Sequence, residues 1–212
     1  MRKNSKAAIV EAAITLFNIK GFNGTSIRDI AKKAGTNVAN ISYYFNNKNG
    51  LLEYCFTIFF EKYLHEIEKG FANLDSIGAI ATLKKMSKNI IQFQSQNIHL
   101  TRFILRETSI DSQVIREIMS TYFVKEKYYF KQVFEEGMET GEFRLLSVNY
   151  MIMQLKGLMA MPFLNSQYAT EVLHIFPNEE YFANKYSIEI GNWIDTFITK
   201  PLPAQKLKVV NN

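Results

Sequence analysis

The chain of 212 residues contains one cysteine, four prolines, one tryptophan and three histidines. Each scarcity removes a class of protein. A lone Cys55 excludes an intrachain disulfide and a cysteine zinc cluster. At helical spacing among Leu51, Leu52, Ile58 and Phe59 it reads as a core filler rather than a nucleophile. His65, His99 and His174 lie far apart without ligand-spaced companions, so neither a metal nor a cofactor is expected. The glycine turn at Gly21 to Gly24 lacks the lysine of a phosphate loop, and no serine or cysteine sits in a nucleophile elbow. The chain is therefore not expected to be an enzyme. No uninterrupted apolar run reaches the roughly 18 residues of a membrane span, and Met1 to Lys6 lead into an amphipathic helix rather than a signal-peptide core. A cytoplasmic protein is the expectation.

What is plentiful points to a folded helical molecule with a basic beginning. An apolar fraction of 47% and 17 phenylalanines argue for an ample core. Residues 1–50 hold eight basic side chains (Arg2, Lys3, Lys6, Lys20, Arg28, Lys32, Lys33 and Lys48) against Glu11 and Asp29, a net +6. The rest of the chain carries 17 basic and 18 acidic residues. All the excess charge thus sits in the first quarter, as in a polyanion-binding head on a neutral body. By charge alone, a merely solvated basic face would fit as well.

Apolar residues recur at helical spacing throughout, with no sustained strand-type alternation, so the fold class expected is all-α. Ile9, Ala12, Ala13, Leu16 and Phe17 stripe a first helix that ends at Gly21. Thr25 or Ser26 caps a short second helix whose buried stripe is Ile27, Ile30, Ala31 and Ala34, with Asp29 in a capping-box position. Gly35-Thr36-Asn37 makes a turn into a third helix from about Val38 to Phe45. Lys48 opens a long connector through Ile67, and further helices are expected near 76–96, 98–108, 112–139, 147–168 and 178–199. This divides the chain into a head over 1–47, a larger helical body over 48–200, and a frayed tail over 201–212.

Two short helices around a glycine turn have the dimensions of a helix-turn-helix, whose second helix enters the major groove. In the third helix the periodicity turns Val38, Ile41 and Phe45 inward and Ala39, Asn40 and Tyr43 outward, flanked by Ser42 and Tyr44. The outward face carries no carboxylate and offers amide, hydroxyl and methyl groups to phosphates and base edges. Lys48, with the free N–H groups of its helix terminus, is placed to hold a phosphate, and Thr25 and Ser26 to hold another. For Ser42 and Tyr44, at the edge of that face, a purely structural role is the alternative.

The run from Gly21 to Gly35, followed by Ile41-Ser42-Tyr43-Tyr44-Phe45 and Lys48-Asn49-Gly50-Leu51, resembles the N-terminal signature of the TetR family of regulators. The resemblance implies that Thr25, Ser26, Asn37, Tyr43, Tyr44 and Lys48 hold the backbone of double-stranded DNA while Ala39, Asn40 and Ser42 lie near base edges. It further implies a DNA-binding role for the head over 1–47 and a dimerisation and regulatory role for the body over 48–200, in a homodimer that represses from palindromic sites on the nucleoid, its last two helices pairing with the partner's copies. Met151, Leu155, Leu158 and Met159, then Ile190, Trp193, Ile194, Phe197 and Ile198, form stripes compatible with that pairing, although intrachain core explains them equally. A hydrophobic small-molecule effector would occupy a cavity among Met86, Phe93, Phe103, Tyr122, Tyr129, Phe130, Met138, Met153, Met159 and Met161, for which plain core is the default. Arg102, Arg106, Glu107, Arg116 and Glu117 place charges in otherwise apolar helices. The turn and third helix are also similar to the RefZ subgroup, whose members bind chromosomal motifs and regulate the division protein FtsZ in sporulating bacilli; on that alternative FtsZ replaces the small molecule as partner.

Overall fold

The all-helical expectation holds in a computed structural model that describes residues 5–110 and 113–199. Among them are α1 (Ser5–Lys20), α2 (Ile27–Ala34), α3 (Val38–Phe45), α4 (Lys48–Phe71), α5 (Leu74–Gln96), α6 (Ile98–Glu107), α7 (Gln113–Glu139), α8 (Val148–Leu164) and α9 (Glu180–Phe197). The only extended pairing among the described residues is an isolated bridge between Phe143 and Thr199. Arg2, Lys3 and the expected tail over 201–212 lie outside the described residues.

The first three helices are too short to bury much surface singly, so they share one small core. Ile9, Ala12, Ala13 and Phe17 of α1 meet Ile30 and Ala31 of α2, and Ile41 and Phe45 of α3 close the centre. The first turns of α4 complete it through Leu51, Leu52 and Cys55. Burial alone raises the Cys55 thiol pKa to about 12, so it stays protonated and unreactive, as a core filler should. The remaining 16 or so residues of α4 continue into the larger bundle, where α5 packs against α4, α7, α8 and α9.

Two local irregularities are resolved by distant side chains. Backbone φ at Gly78 is +79°, which breaks α5 near its start and leaves the N–H groups of Ala79 and Ile80 without helical partners. The Glu142 carboxylate accepts both, at 2.8 and 2.9 Å, and so caps the helix from the loop before α8. Pro162 inside α8 has no N–H to offer the carbonyl of Leu158 four residues earlier. The Tyr186 hydroxyl of α9 donates to that carbonyl at 2.9 Å instead.

The second half of the chain corrects the sequence reading in one place and narrows it in another. The segment expected as one helix over 147–168 ends at Leu164 and passes into a wide helical turn at Tyr168–Val172. The proposed dimer stripes are mostly interior: Leu155, Met159, Ile190, Ile194 and Ile198 are buried in the protomer's own core, and Met151, Leu158 and Trp193 are half-buried. Of those residues only Phe197 is exposed. Of the two readings that periodicity left open, intrachain core is the one that the five buried residues support. The opposite faces carry the exposed apolar residues, Tyr150, Met153, Met161 and Leu164 on α8 and Tyr181 and Ile188 on α9.

Candidate nucleic-acid interface

Both ends of α2 and the start of α3 are fixed by caps. Ser26 accepts the N–H of Asp29 at 3.1 Å while the Asp29 carboxylate accepts the N–H of Ser26, a reciprocal capping box. These bonds to Ser26, with the charge of Lys20 at 3.4 Å, hold the Asp29 carboxyl below its usual pKa. Gly35 terminates α2 at φ +63°, and its neighbour Thr36 donates its N–H to Ala31. Asn37 then caps α3 through its side-chain oxygen on the N–H of Asn40 at 2.9 Å. The Asn40 amide turns back to the Thr36 hydroxyl at 2.6 Å.

This arrangement sorts the expected DNA-contacting residues into two groups. Ser26, Asn37, Ala39, Ser42, Tyr43 and Tyr44 are exposed, with Tyr43 showing 83% of its surface and packing its ring edge-on to Tyr44. Thr25 does not join them. The residue is only 2% exposed, its hydroxyl donates to Gly21 and its N–H to Phe22, so it closes the α1–α2 turn instead of facing solvent. Lys48 also points inward: its ammonium donates to the carbonyls of Phe22 and Thr25, both at 3.0 Å, and lies 4.4 Å from the centre of the Phe22 ring. Three protons on an ammonium leave one after those two bonds. These contacts make Lys48 a staple between α4 and the first turn, with one N–H left over. Asn40 is half-buried and committed to Thr36.

One outward residue escaped the sequence reading. Val38, assigned there to the inner face, is exposed at the first position of α3. The N-terminal position explains the error, because α3 is anchored by Ile41 and Phe45 and its first turn overhangs the core. The exposed surface of α3 is therefore Val38, Ala39, Ser42, Tyr43 and Tyr44 without a carboxylate, and α2 beside it exposes Arg28, Lys32 and Lys33.

The interface is bolted to the bundle through α6. Arg106 donates to the carbonyls of Phe17 and Asn18 at 2.6 and 3.3 Å, placing a cation on the C-terminus of α1 where unpaired carbonyls and the helix dipole favour it. Asn18 returns a bond to the carbonyl of His99 at 2.8 Å, and Phe17 stacks on Phe103 at 5.0 Å. The far side of the same helix, through Ile104, Leu105 and Thr108, lines a cavity of about 160 Å³. Aromatic walls come from Phe59, Phe60, Tyr63 and Phe123, and the polar lining from Gln94, Glu126 and Lys156. Of the ten residues expected around an effector only Met159 lines it; Met86, Phe103 and Phe130 are buried core, and Met153 and Met161 are exposed.

A capped helix-turn-helix with a carboxylate-free outer face, mounted on a larger helical bundle, defines a DNA-binding regulator. Comparison with known proteins agrees. Residues 9–55 match the model for bacterial regulatory proteins of the tetR family. The chain is 45% identical over 194 residues to the "Probable HTH-type transcriptional regulator YttP" of Bacillus subtilis, covering 92% of this chain and 94% of that protein. It is 37% identical over 60 residues to IcaR of Staphylococcus epidermidis, named as a negative transcriptional regulator of a biofilm operon, covering 26% of this chain and 32% of that one. The fold superposes on the TetR family transcriptional regulator PfmR of Thermus thermophilus with a TM-score of 0.72 at 16% identity, over 88% of this chain and 96% of that one. The chain belongs to the tetR family, whose members are transcriptional regulators and not enzymes. These similarities give no support to the RefZ subgroup or to FtsZ as a partner. No helix among the described residues is long and apolar enough to cross a membrane.

Proposed function

We propose that the protein is a homodimeric repressor that sets two copies of α3 into successive major grooves of a palindromic site and lets go when a small molecule fills the cavity beside α6. The observation that carries the reading is the outer face of α3, rigidly capped and free of carboxylates. On it, Val38, Ala39 and Ser42 meet base edges, where a valine or alanine methyl suits the thymine methyl. Ser26, Asn37, Tyr43 and Tyr44 meet phosphates. Residues 1–47 thus act as the DNA-binding domain and those from 48 to about 200 as the dimerisation and regulatory domain. Thr25, Asn40 and Lys48 serve by holding that surface in shape. Repression is the sense suggested by IcaR, and the nucleoid is where such a protein works.

Dimerisation is supported by the apolar surface left on α8 and α9. Tyr150, Met153, Met161 and Leu164 fall on one stripe with Gly157, and Tyr181 and Ile188 lie on the neighbouring helix. Added atoms at Gly157 would meet nothing within 4 Å, so another backbone can approach closely there. Release follows from the α6 linkage. A ligand pressing on Ile104 and Leu105 moves a helix whose Arg106 grips the end of α1, and any change in the spacing of two heads lowers affinity for a fixed pair of half-sites.

The test is selection of duplexes from a random pool by the purified protein, followed by titration of the winning sequence. An inverted repeat with half-site centres about 34–36 Å apart is expected. Tyr43→Ala should weaken binding by about tenfold or more with less than about 0.5 kcal/mol change in stability, because the ring is exposed. No enriched sequence, or unchanged affinity for the variant, would sink the docking.

A further inference from the structure

The polar end of the α6 cavity narrows the chemistry of its occupant. Glu126 is a carboxylate with 4% of its side chain exposed, held by the Tyr63 hydroxyl at 2.6 Å and paired with the Lys156 ammonium. Tyr63 is itself buried, and burial followed by the Glu126 charge raises its pKa, so it remains a neutral donor. The two members of the ion pair are unequally committed. Lys156 keeps 34% of its side chain in solvent and can return its charge to water by rotating outward, whereas Glu126 cannot. An unpaired buried carboxylate is strongly unfavourable, so Glu126 requires a cation at that spot, and Lys156 is a replaceable one.

The walls accept a cation as well. The Lys156 ammonium already lies 4.1 Å from the centre of the Phe123 ring, and Phe59, Phe60 and Tyr63 supply further ring faces. A second acceptor is in place: Gln94 is 3% exposed and lines the same cavity, yet its Oε1 has no hydrogen-bond partner among the described residues. An orphaned buried amide oxygen is costly in a native protein and marks a position where a donor is expected. A cavity of about 160 Å³ is close to one that holds a single benzene ring, with the room vacated by Lys156 left for a short arm.

We propose that the effector is a small arylalkyl ammonium ion, whose ring lies among Phe59, Phe60 and Phe123 and whose ammonium replaces Lys156 on Glu126, with Gln94 as a further acceptor. This rests on the effector reading above and specifies its ligand. The bound cation turns Lys156 outward and seats the ring against Ile104 and Leu105 of α6.

The experiment uses the full-length protein and three probes of matched size: 2-phenylethylammonium, neutral propylbenzene and the anion 3-phenylpropanoate. Calorimetry and thermal midpoints should rank the ammonium ion first, by about tenfold or more over the other two. Lys156→Met should lower the midpoint without ligand, gain about tenfold in ammonium affinity and recover its midpoint when the ammonium ion is added. Glu126→Gln, which retains a group for Tyr63 to bond, should lose the preference for the ammonium ion while leaving propylbenzene binding in place. Preference for the carboxylate, equal binding of all three probes, binding of none, or ammonium affinity unmoved by both substitutions would each overturn the assignment. Tight, Glu126-dependent binding with no loss of DNA affinity would leave the site standing and refute the effector reading instead.

Discussion

Replacing Lys48 with methionine separates the two roles that this residue could play. The substitution keeps an apolar chain over the Phe22 ring but deletes the two bonds to the carbonyls of Phe22 and Thr25. Hydrogen bonds to a charged group contribute about 1.5–3 kcal/mol each when sheltered, and here the ammonium is half-buried, so water recovers part of the loss. A net destabilisation of about 2 kcal/mol is expected, which for a chain of this size lowers the thermal midpoint by roughly 4–8 °C. Salt dependence of binding to the selected duplex supplies the second readout. Had Lys48 neutralised one phosphate per protomer, its loss would flatten the slope of log affinity against log salt by about 1.8 for the dimer. An inward staple leaves the slope unchanged and weakens binding only through a loosened head. A midpoint that stays put while the slope falls by nearly two would refute the staple and restore Lys48 to the DNA.

Three further perturbations test other parts of the structure. Glutamate in place of Met153 or Ile188, both exposed on the α8–α9 surface, should give a folded monomer by light scattering with DNA affinity reduced by about tenfold or more, whereas an intact dimer would move the interface elsewhere. Gly78→Ala should cost about 2–3 kcal/mol in denaturant unfolding, combining left-handed strain at φ +79° with displacement of Glu142, whose carboxylate oxygen would lie 2.7 Å from the new methyl; a neutral result would mean that α5 re-forms without the break. Glu107 is buried on α6, and burial raises its carboxyl pKa against the opposing charge of Arg106. A folded pKa above the unfolded one means stability that is full below the unfolded value, about 4.3, and lost as pH rises through the folded value. Glu107→Gln should therefore gain on the wild type as pH increases across that window, and parallel stability curves would show that Glu107 pairs more fully than its surroundings indicate.

Interactions between near neighbours in the chain make much of this molecule legible in its sequence. Capping-box spacing at Ser26 and Asp29, the left-handed position at Gly35 and the Asn37 cap are interactions between residues one to four apart, and the α2–turn–α3 geometry follows from them. The concentration of positive charge in the first quarter and the apolar stripes of α1 to α4 are likewise properties of the chain itself. What periodicity cannot supply is the identity of the surface that a stripe meets. Leu155, Met159, Ile190 and Ile194 had the pattern of an interface and became core, because α5 packs against that side of α9, and α6, α7 and α5 against that side of α8, leaving Met153 and Ile188 on the outer faces. Lys48 sits 26 residues from Phe22 and 23 from Thr25, so only the closure of the three-helix core decided that its ammonium turns inward. The same holds for Glu142 capping a helix 62 residues away, for Tyr186 completing α8 at Pro162, and for the cavity where Tyr63, Gln94, Glu126 and Lys156 converge from four helices. Sequence determined which segments are helical and where the capped turn between α2 and α3 falls, since those depend on neighbours in the chain. Tertiary packing alone determined which polar groups lost water and which partners they found, since burial is a property of the assembled core.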